Sequence, residues 1–233
     1  MSTLLTIAHQ SRSLIAITGA VGLGKSFAAK CYIADHPRTH KNPGAVLIQF
    51  NKTDNKPSAA LSAILAGLHG ESIGAYRNGN LYRAVGAKLR PGDLLVLDEC
   101  QRLGDAVDIV ASLYDDFGVA IVMIGNPDFS RAVWGNDRTF DALGSRILRH
   151  DFPKSTVEDV ETWLAWKGIL DDLPIKERAP MVKAAVSIGA RPGKEGGLRT
   201  LDLTINHYKK NYGGQPLTGP LLSHLVKQLR ESA

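Results

Sequence analysis

The sequence predicts an α/β fold, with a parallel five-stranded sheet flanked by helices and then a small all-helical C-terminal domain. Three observations carry this. Short β-rich runs alternate with helical patterns through the first 153 residues. The runs are almost wholly apolar, as strands are when helices cover both faces of a sheet. After Phe152 and Pro153 the strand signals stop and only helical patterns remain.

The elements follow in order. Leu14 to Thr18 (LIAIT) reads as the first strand, and a helical pattern runs from Lys25 to Ala34. Ala45 to Phe50 is the second strand, with helical stretches at Ser58 to Leu68 and Asn80 to Leu89. Leu94 to Leu97, Val119 to Ile124 and, less apolar, Ile147 to Phe152 complete the sheet, separated by helices near Ala106 to Phe117 and Asp128 to Trp134. Residues 1–153 are therefore expected to form one core and residues 154–233 a helical domain. There Ser155-Thr156 ahead of Glu158 and Asp159 marks a helix start, because side-chain oxygens cap free N–H groups and carboxylates favour the positive end of the dipole. Further helices are expected at Lys176 to Ser187, Leu198 to Tyr212 and Leu217 to Arg230, separated by RPGKEGG and GGQP. In the last of them Leu217, Leu221, Leu225 and Leu229, with Leu222 and Val226 beside them, form a stripe that packs in its own domain.

Composition limits the classes. With 233 residues, 44% hydrophobic, 22% charged and a net charge of +5, disorder, collagen and disulfide scaffolds are excluded. Cys31 and Cys100 make no disulfide framework, which agrees with a reducing compartment. No window approaches the ~18 apolar residues of a membrane span, and MSTLLTIAHQ has no leader pattern, so a cytoplasmic protein without membrane contact is expected. The positive excess lies in residues 1–100, with 11 basic against 6 acidic residues, and it permits a polyanionic partner.

The strongest local signal is GAVGLGKS, Gly19 to Ser26, which fits G-x-x-x-x-G-K-[ST] between a strand and a helix. Backbone N–H groups of Gly19, Ala20, Val21, Gly22, Leu23 and Gly24, continuing into the helix start at Lys25, Ser26 and Phe27, would surround the phosphates of ATP. Glycine is needed where the chain passes too close for a side chain. Lys25 would reach the β- and γ-phosphates, and the Ser26 hydroxyl would ligate Mg²⁺. LLVLDE supplies an apolar strand ending in two carboxylates. Asp98 would hold Mg²⁺ through water and Glu99 would polarise the attacking water. VAIVMIGN places Asn126 at the carboxyl end of the next strand, where active sites of open parallel sheets form, within reach of the γ-phosphate and the lytic water. These residues favour a nucleotide hydrolase over a kinase.

This order resembles that of the AAA+ ATPases over nearly the whole chain. The resemblance implies that Asn126 is sensor 1, that Arg146 in GSRIL is an arginine finger acting on a neighbouring subunit, and that Arg199 in GGLRT is sensor 2, reaching its own subunit's γ-phosphate. Arg131, Arg138 and Arg149 are weaker finger candidates. A helical lid and a ring or helical oligomer are also implied. Within that class, VLDECQRL, LYDDFGVAIVMIGNPDF and FDALGSRILRHDF resemble the ATPase subunits of DNA transposition, the group of Mu-type phage B proteins. That likeness implies non-specific duplex DNA binding with ATP, filament formation, delivery of target DNA to a transposase, and disassembly on hydrolysis. Two departures stand out. With the first strand read from Leu14, the group's N-terminal helix-turn-helix domain is not expected here, and Cys100 stands where Ala or Ile is usual. Cys100 reads as a small buried residue, not a nucleophile.

A filament on a duplex must present cations inward, where a few per subunit add up. FNKTDNKPS and AYRNGNLYR are the candidate segments, with Lys52, Lys56, Arg77 and Arg83 as cations and Thr53 and Asn78 as neutral phosphate donors. Lys209 and Lys210 form a second patch. His36 and His40 lack a third ligand for zinc, and Trp163 and Trp166 are expected to pack in the lid. The open alternatives are an AAA+ ATPase of another role, such as a secretion-associated ATPase or a clamp or helicase loader, and a nucleotide-switched scaffold with little turnover.

Overall fold

A computed structural model describes residues 1–69, 78–134, 144, 146–152, 154–190 and 197–231. The chain divides into two compact units. One comprises Met1–Thr18 and Lys25–Asp151, the other Gly19–Gly24 and Phe152–Ala233.

The first unit is built on a five-stranded sheet of order β2-β3-β4-β1-β5, with β1 Leu14–Gly19, β2 Ala45–Gln49, β3 Leu94–Asp98, β4 Ala120–Gly125 and β5 Leu148–Phe152. The pairs β2/β3, β3/β4 and β4/β1 are parallel. Alternate strand residues Ala16, Ile48, Leu95, Leu97, Ile121 and Met123, with Phe50 just past β2, face one apolar core. It is closed by α3 (Pro57–His69), α4 (Asn78–Lys88), α5 (Val107–Phe117) and α6 (Pro127–Trp134). The intervening residues Ile15, Ile17, Val96 and Val122 are buried as well, so the central strands are covered on both sides, as their unbroken apolar character requires. The edge strand β5 departs from this, because Leu148 to Asp151 are exposed. Charged edge residues discourage pairing with another chain.

The helix α1 (Ser2–Ser11) was not expected from the sequence. It packs on β4 and on α2 (Lys25–Asp35), burying Leu5 and Ala8. His9 ties it down, with Nδ1 3.1 Å from the Tyr32 hydroxyl and Nε2 2.9 Å from the Gly92 carbonyl. At the same end of the sheet the fully buried Asp93 carboxylate accepts from the Arg38 Nε and from the backbone N–H groups of Gly44 and Arg90. A buried charge persists only when so satisfied.

The second unit holds α7 (Val157–Trp166), α8 (Ile175–Gly189), α9 (Leu198–Asn211) and α10 (Gly219–Glu231). The expected start of α7 is a full capping box, in which Thr156 Oγ1 accepts from the Asp159 N–H and the Asp159 carboxylate accepts from the Thr156 N–H. α8 touches the other three helices. A Cβ at Gly189 would lie 2.8 Å from Val160 and 2.9 Å from Leu201, so glycine sets the close approach. The expected leucine stripe holds only in part: Leu225, with Leu222 and Val226 beside it, is buried, Leu217 is buried just ahead of α10, and Leu221 and Leu229 are only half-buried. Trp163 is buried, but Trp166 is 59% exposed, contrary to the packing expected of both; Lys167 lies over both rings and pairs with Asp202. Among the described residues no helix is long and apolar enough to cross a membrane.

Candidate functional site

In the first unit, Lys25 and Ser26 open α2 and Phe27 follows, all half-buried. Burial pushes the Lys25 ammonium below the ordinary lysine range, while the carboxylates of Asp98 and Glu99 pull it upward. Asp98 ends β3 and is 3% exposed. Its Oδ1 accepts the Glu99 N–H at 2.9 Å, and its buried Oδ2 has no hydrogen-bond partner among the described residues. Glu99 sits past the strand in the left-handed region, at φ 62° and ψ 37°. Its Oε2 accepts from Gln101 Nε2 at 2.7 Å and from Arg102 Nη2 at 3.1 Å. Gln101 and Arg102 were not among the residues singled out; the i,i+3 spacing of Glu99 and Arg102 is the signal that would have found the second of them. Cys100 is buried, and burial together with Asp98 holds its thiol well above the ordinary range, as expected of a non-nucleophile.

Asn126 follows β4 and caps α6. Its Oδ1 accepts from the N–H groups of Asp128 at 2.9 Å and Phe129 at 3.1 Å, and its Nδ2 donates to Asp128. Its own N–H donates to Gln101 Oε1 at 3.3 Å. Arg146 pairs with Asp115 near the end of α5 at 2.9 Å, both side chains nearly half exposed. Of the weaker finger candidates, Arg131 pairs with Asp128 and Arg149 with Asp151, while Arg138 lies outside the described residues.

In the second unit the loop Gly19–Gly24 lies against the start of α9. The Leu198 N–H donates to the Gly22 carbonyl at 2.8 Å. Gly22 and Gly24 have φ of 88° and 80°, conformations that side chains disfavour. Leu23 is buried, whereas Val21 is 55% exposed. Arg199, the second residue of α9, is exposed and has no ion pair among the described residues.

Of the proposed DNA contacts, Lys52, Lys56 and Arg83 are exposed. Thr53 is exposed too, with its hydroxyl and N–H both donating to Asn51 Oδ1 within the loop's own turn. The buried Asp54 closes that turn by accepting from the Asn51 N–H. Arg77 and the Asn78 side chain lie outside the described residues. Lys209 and Lys210 are exposed in the last turn of α9.

The solved structures the chain resembles share its architecture at low identity. The Aeropyrum pernix ORC2 protein, in ADPNP–ADP complexes, matches at 15% identity and TM-score 0.67, over 97% of this chain and 66% of that one. Hsp104 with ATPγS and FITC-casein in a closed state matches at 14% identity and TM-score 0.60, over 98% of this chain and 40% of that one. Domain III of the Thermotoga maritima replication initiation protein DnaA matches at 15% identity and TM-score 0.54, over 97% and 89%. The chain thus spans less than two thirds of the length of ORC2. No curated protein matches it in sequence. At these identities the likeness establishes the fold alone. The family model described as AAA domain matches residues 8–133, more than half of the sequence, and the chain belongs to that family.

Proposed function

We propose that the protein hydrolyses ATP and binds duplex DNA without sequence preference in its ATP state, assembling as an oligomer or helical filament that presents target DNA to a transposase. The observation that carries the ATPase half is Asp98. A buried carboxylate oxygen without a partner is costly, and an adjacent cation or a cation-bound water is what its chemistry fits. Ser26 and Asp98 are the residues that would hold Mg²⁺, which when bound offsets the charge of the phosphate oxygens.

The chain's own groups divide the remaining work. The Gly19–Gly24 loop and the start of α2 supply backbone N–H donors for the phosphates, and the desolvated Lys25 supplies a counter-charge. Glu99 takes the proton of the water that attacks the γ-phosphorus, and the bond from that phosphorus to the β–γ bridging oxygen breaks, leaving ADP and inorganic phosphate. The capped Asn126 has only its Nδ2, shared with Asp128, to offer a phosphate oxygen. Arg146 acts in trans on a neighbour's nucleotide, leaving Asp115 to do so, and Arg199 acts on the nucleotide of its own subunit.

The DNA half is supported by the exposed Lys52, Lys56 and Arg83 in the basic first hundred residues and by the transposition-type wording of the sequence. Steady-state ATPase measured with and without duplex DNA tests the proposal. Stimulation by DNA of any sequence, lost in Glu99→Gln, is the expected result. ATPase indifferent to DNA would instead favour a loader or secretion-type role, and negligible turnover a nucleotide-switched scaffold.

A further inference from the structure

Glu99 is held from both neighbouring strands. The two donors on its Oε2 are each anchored elsewhere. Gln101 accepts the Asn126 N–H at the end of β4 through Oε1 while donating to Glu99 through Nε2. Arg102 donates through Nη1 to the Phe50 carbonyl at the end of β2, at 3.0 Å, while Nη2 meets Glu99 at 3.1 Å. Phe50 is itself fixed, with its ring fully buried and its N–H donating to the Asp98 carbonyl at 3.0 Å. Since β3 lies between β2 and β4, the carboxylate at its tip is tied to one flanking strand through Arg102 and to the other through Gln101.

We infer that Gln101 and Arg102 are positioning residues for Glu99, an inference that rests on Glu99 being the group that activates water. Both donors land on Oε2, so among the described residues Oε1 is the oxygen left to face a water. A carboxylate on a flexible stem, at a backbone conformation that glutamate rarely adopts, otherwise samples many orientations, few of them productive. The residue types are specific to the task. At 101 the side chain must both accept and donate, which an amide does and a carboxylate does not. At 102 two donors must diverge from one rigid group towards a carbonyl and a carboxylate, which suits a guanidinium better than an ammonium.

The test uses Gln101→Glu, Arg102→Met and Arg102→Lys in the full chain. Gln101→Glu keeps the shape and the acceptor for Asn126 but replaces the donor to Glu99 with a second carboxylate, which pushes Glu99 away. Gln101→Glu and Arg102→Met should each lower kcat about tenfold, with KM and the affinity for a fluorescent ADP analogue within about twofold of wild type, and Arg102→Lys should recover part of the loss. In the nucleotide-free protein the melting shifts of Glu99→Gln and Arg102→Met should be non-additive, since both remove one ion pair. Unchanged or raised kcat in both positioning variants, additive melting shifts, or losses of kcat and ADP affinity in parallel would each overturn the inference. The two levels separate cleanly. If Glu99→Gln hydrolyses ATP as wild type does, or wild type does not hydrolyse it at all, the reading of Glu99 falls. If Glu99→Gln is inactive while Gln101→Glu and Arg102→Met match wild type, only the positioning role falls.

Discussion

The backbone N–H of Leu198 donates to the carbonyl oxygen of Gly22 at 2.8 Å, joining the glycine-rich loop to the first turn of α9. Gly197 makes the approach possible. Its φ is 88°, and a Cβ there would lie 2.8 Å from the same oxygen. Gly24 is equally confined, because a Cβ on it would meet a Leu198 methyl at 2.6 Å. The loop that would hold phosphates is thus shaped in part by residues more than 170 positions away in sequence.

Gly197→Ala should therefore lower stability by roughly 1–3 kcal/mol, from a disfavoured conformation and a backbone collision together. It should also weaken binding of a fluorescent ATP analogue several-fold. Gly214→Ala, with nothing within 4 Å of the added Cβ, is the control and should change stability by less than about 0.5 kcal/mol. Thermal melting and equilibrium titration read both.

Lys25→Met should raise the melting temperature of the nucleotide-free protein by about 1–3 °C while abolishing ATP binding. The sign follows from the lowered basicity of Lys25. Its charged form is less favourable in the folded chain than in the unfolded one, so the charge destabilises the fold at neutral pH. That penalty fades as pH rises past the folded value and is gone above the ordinary lysine value of about 10.4. The advantage of the Met variant should shrink accordingly in alkaline buffer.

Two non-glycine residues among those described have positive φ, Arg12 and Glu99. They differ in kind. Arg12 is the left-handed C-cap of α1, its N–H donating to the Ala8 carbonyl, a position that glycine favours. Arg12→Gly should stabilise the protein by about 0.5–1 kcal/mol with no change in nucleotide affinity. At residue 99 the same relief would remove the carboxylate that Gln101 and Arg102 hold.

Arg146→Ala should leave nucleotide binding within about twofold and cost less than about 1 kcal/mol of stability, because its pair with Asp115 is nearly half exposed. Hydrolysis should fall by about 10³-fold or more if Arg146 works across a subunit interface. Mixing it with Glu99→Gln protein should restore some activity through composite sites. No rescue in the mixture would argue against action in trans.

The sheet was legible in the sequence because its strands are buried on both sides, so Leu94 to Leu97 and Val119 to Ile124 read as continuous apolar runs. The Thr156–Asp159 cap was legible because capping chemistry is local. α1 was not. Only Leu5 and Ala8 of it are buried, and its cap at Arg12 carries no glycine or asparagine signal. The loop motif and acidic pair singled out Lys25 and Asp98 because both signals are short and local in the sequence. The ties on Glu99 were hidden because Phe50 and Asn126 reach it only through the order β2-β3-β4, which spacing does not encode. The Asn51–Thr53 turn, by contrast, is local, with the Thr53 hydroxyl and N–H both donating to Asn51 Oδ1 two residues away.

The most direct measurement is the anisotropy of a fluorescent duplex titrated with Glu99→Gln protein in ATP, in ADP and without nucleotide. Tight binding in ATP alone, alike for unrelated sequences and weakening steeply with salt, is the predicted result. Binding that ignores the nucleotide, or no binding in any state, would contradict an ATP-dependent hold on duplex DNA.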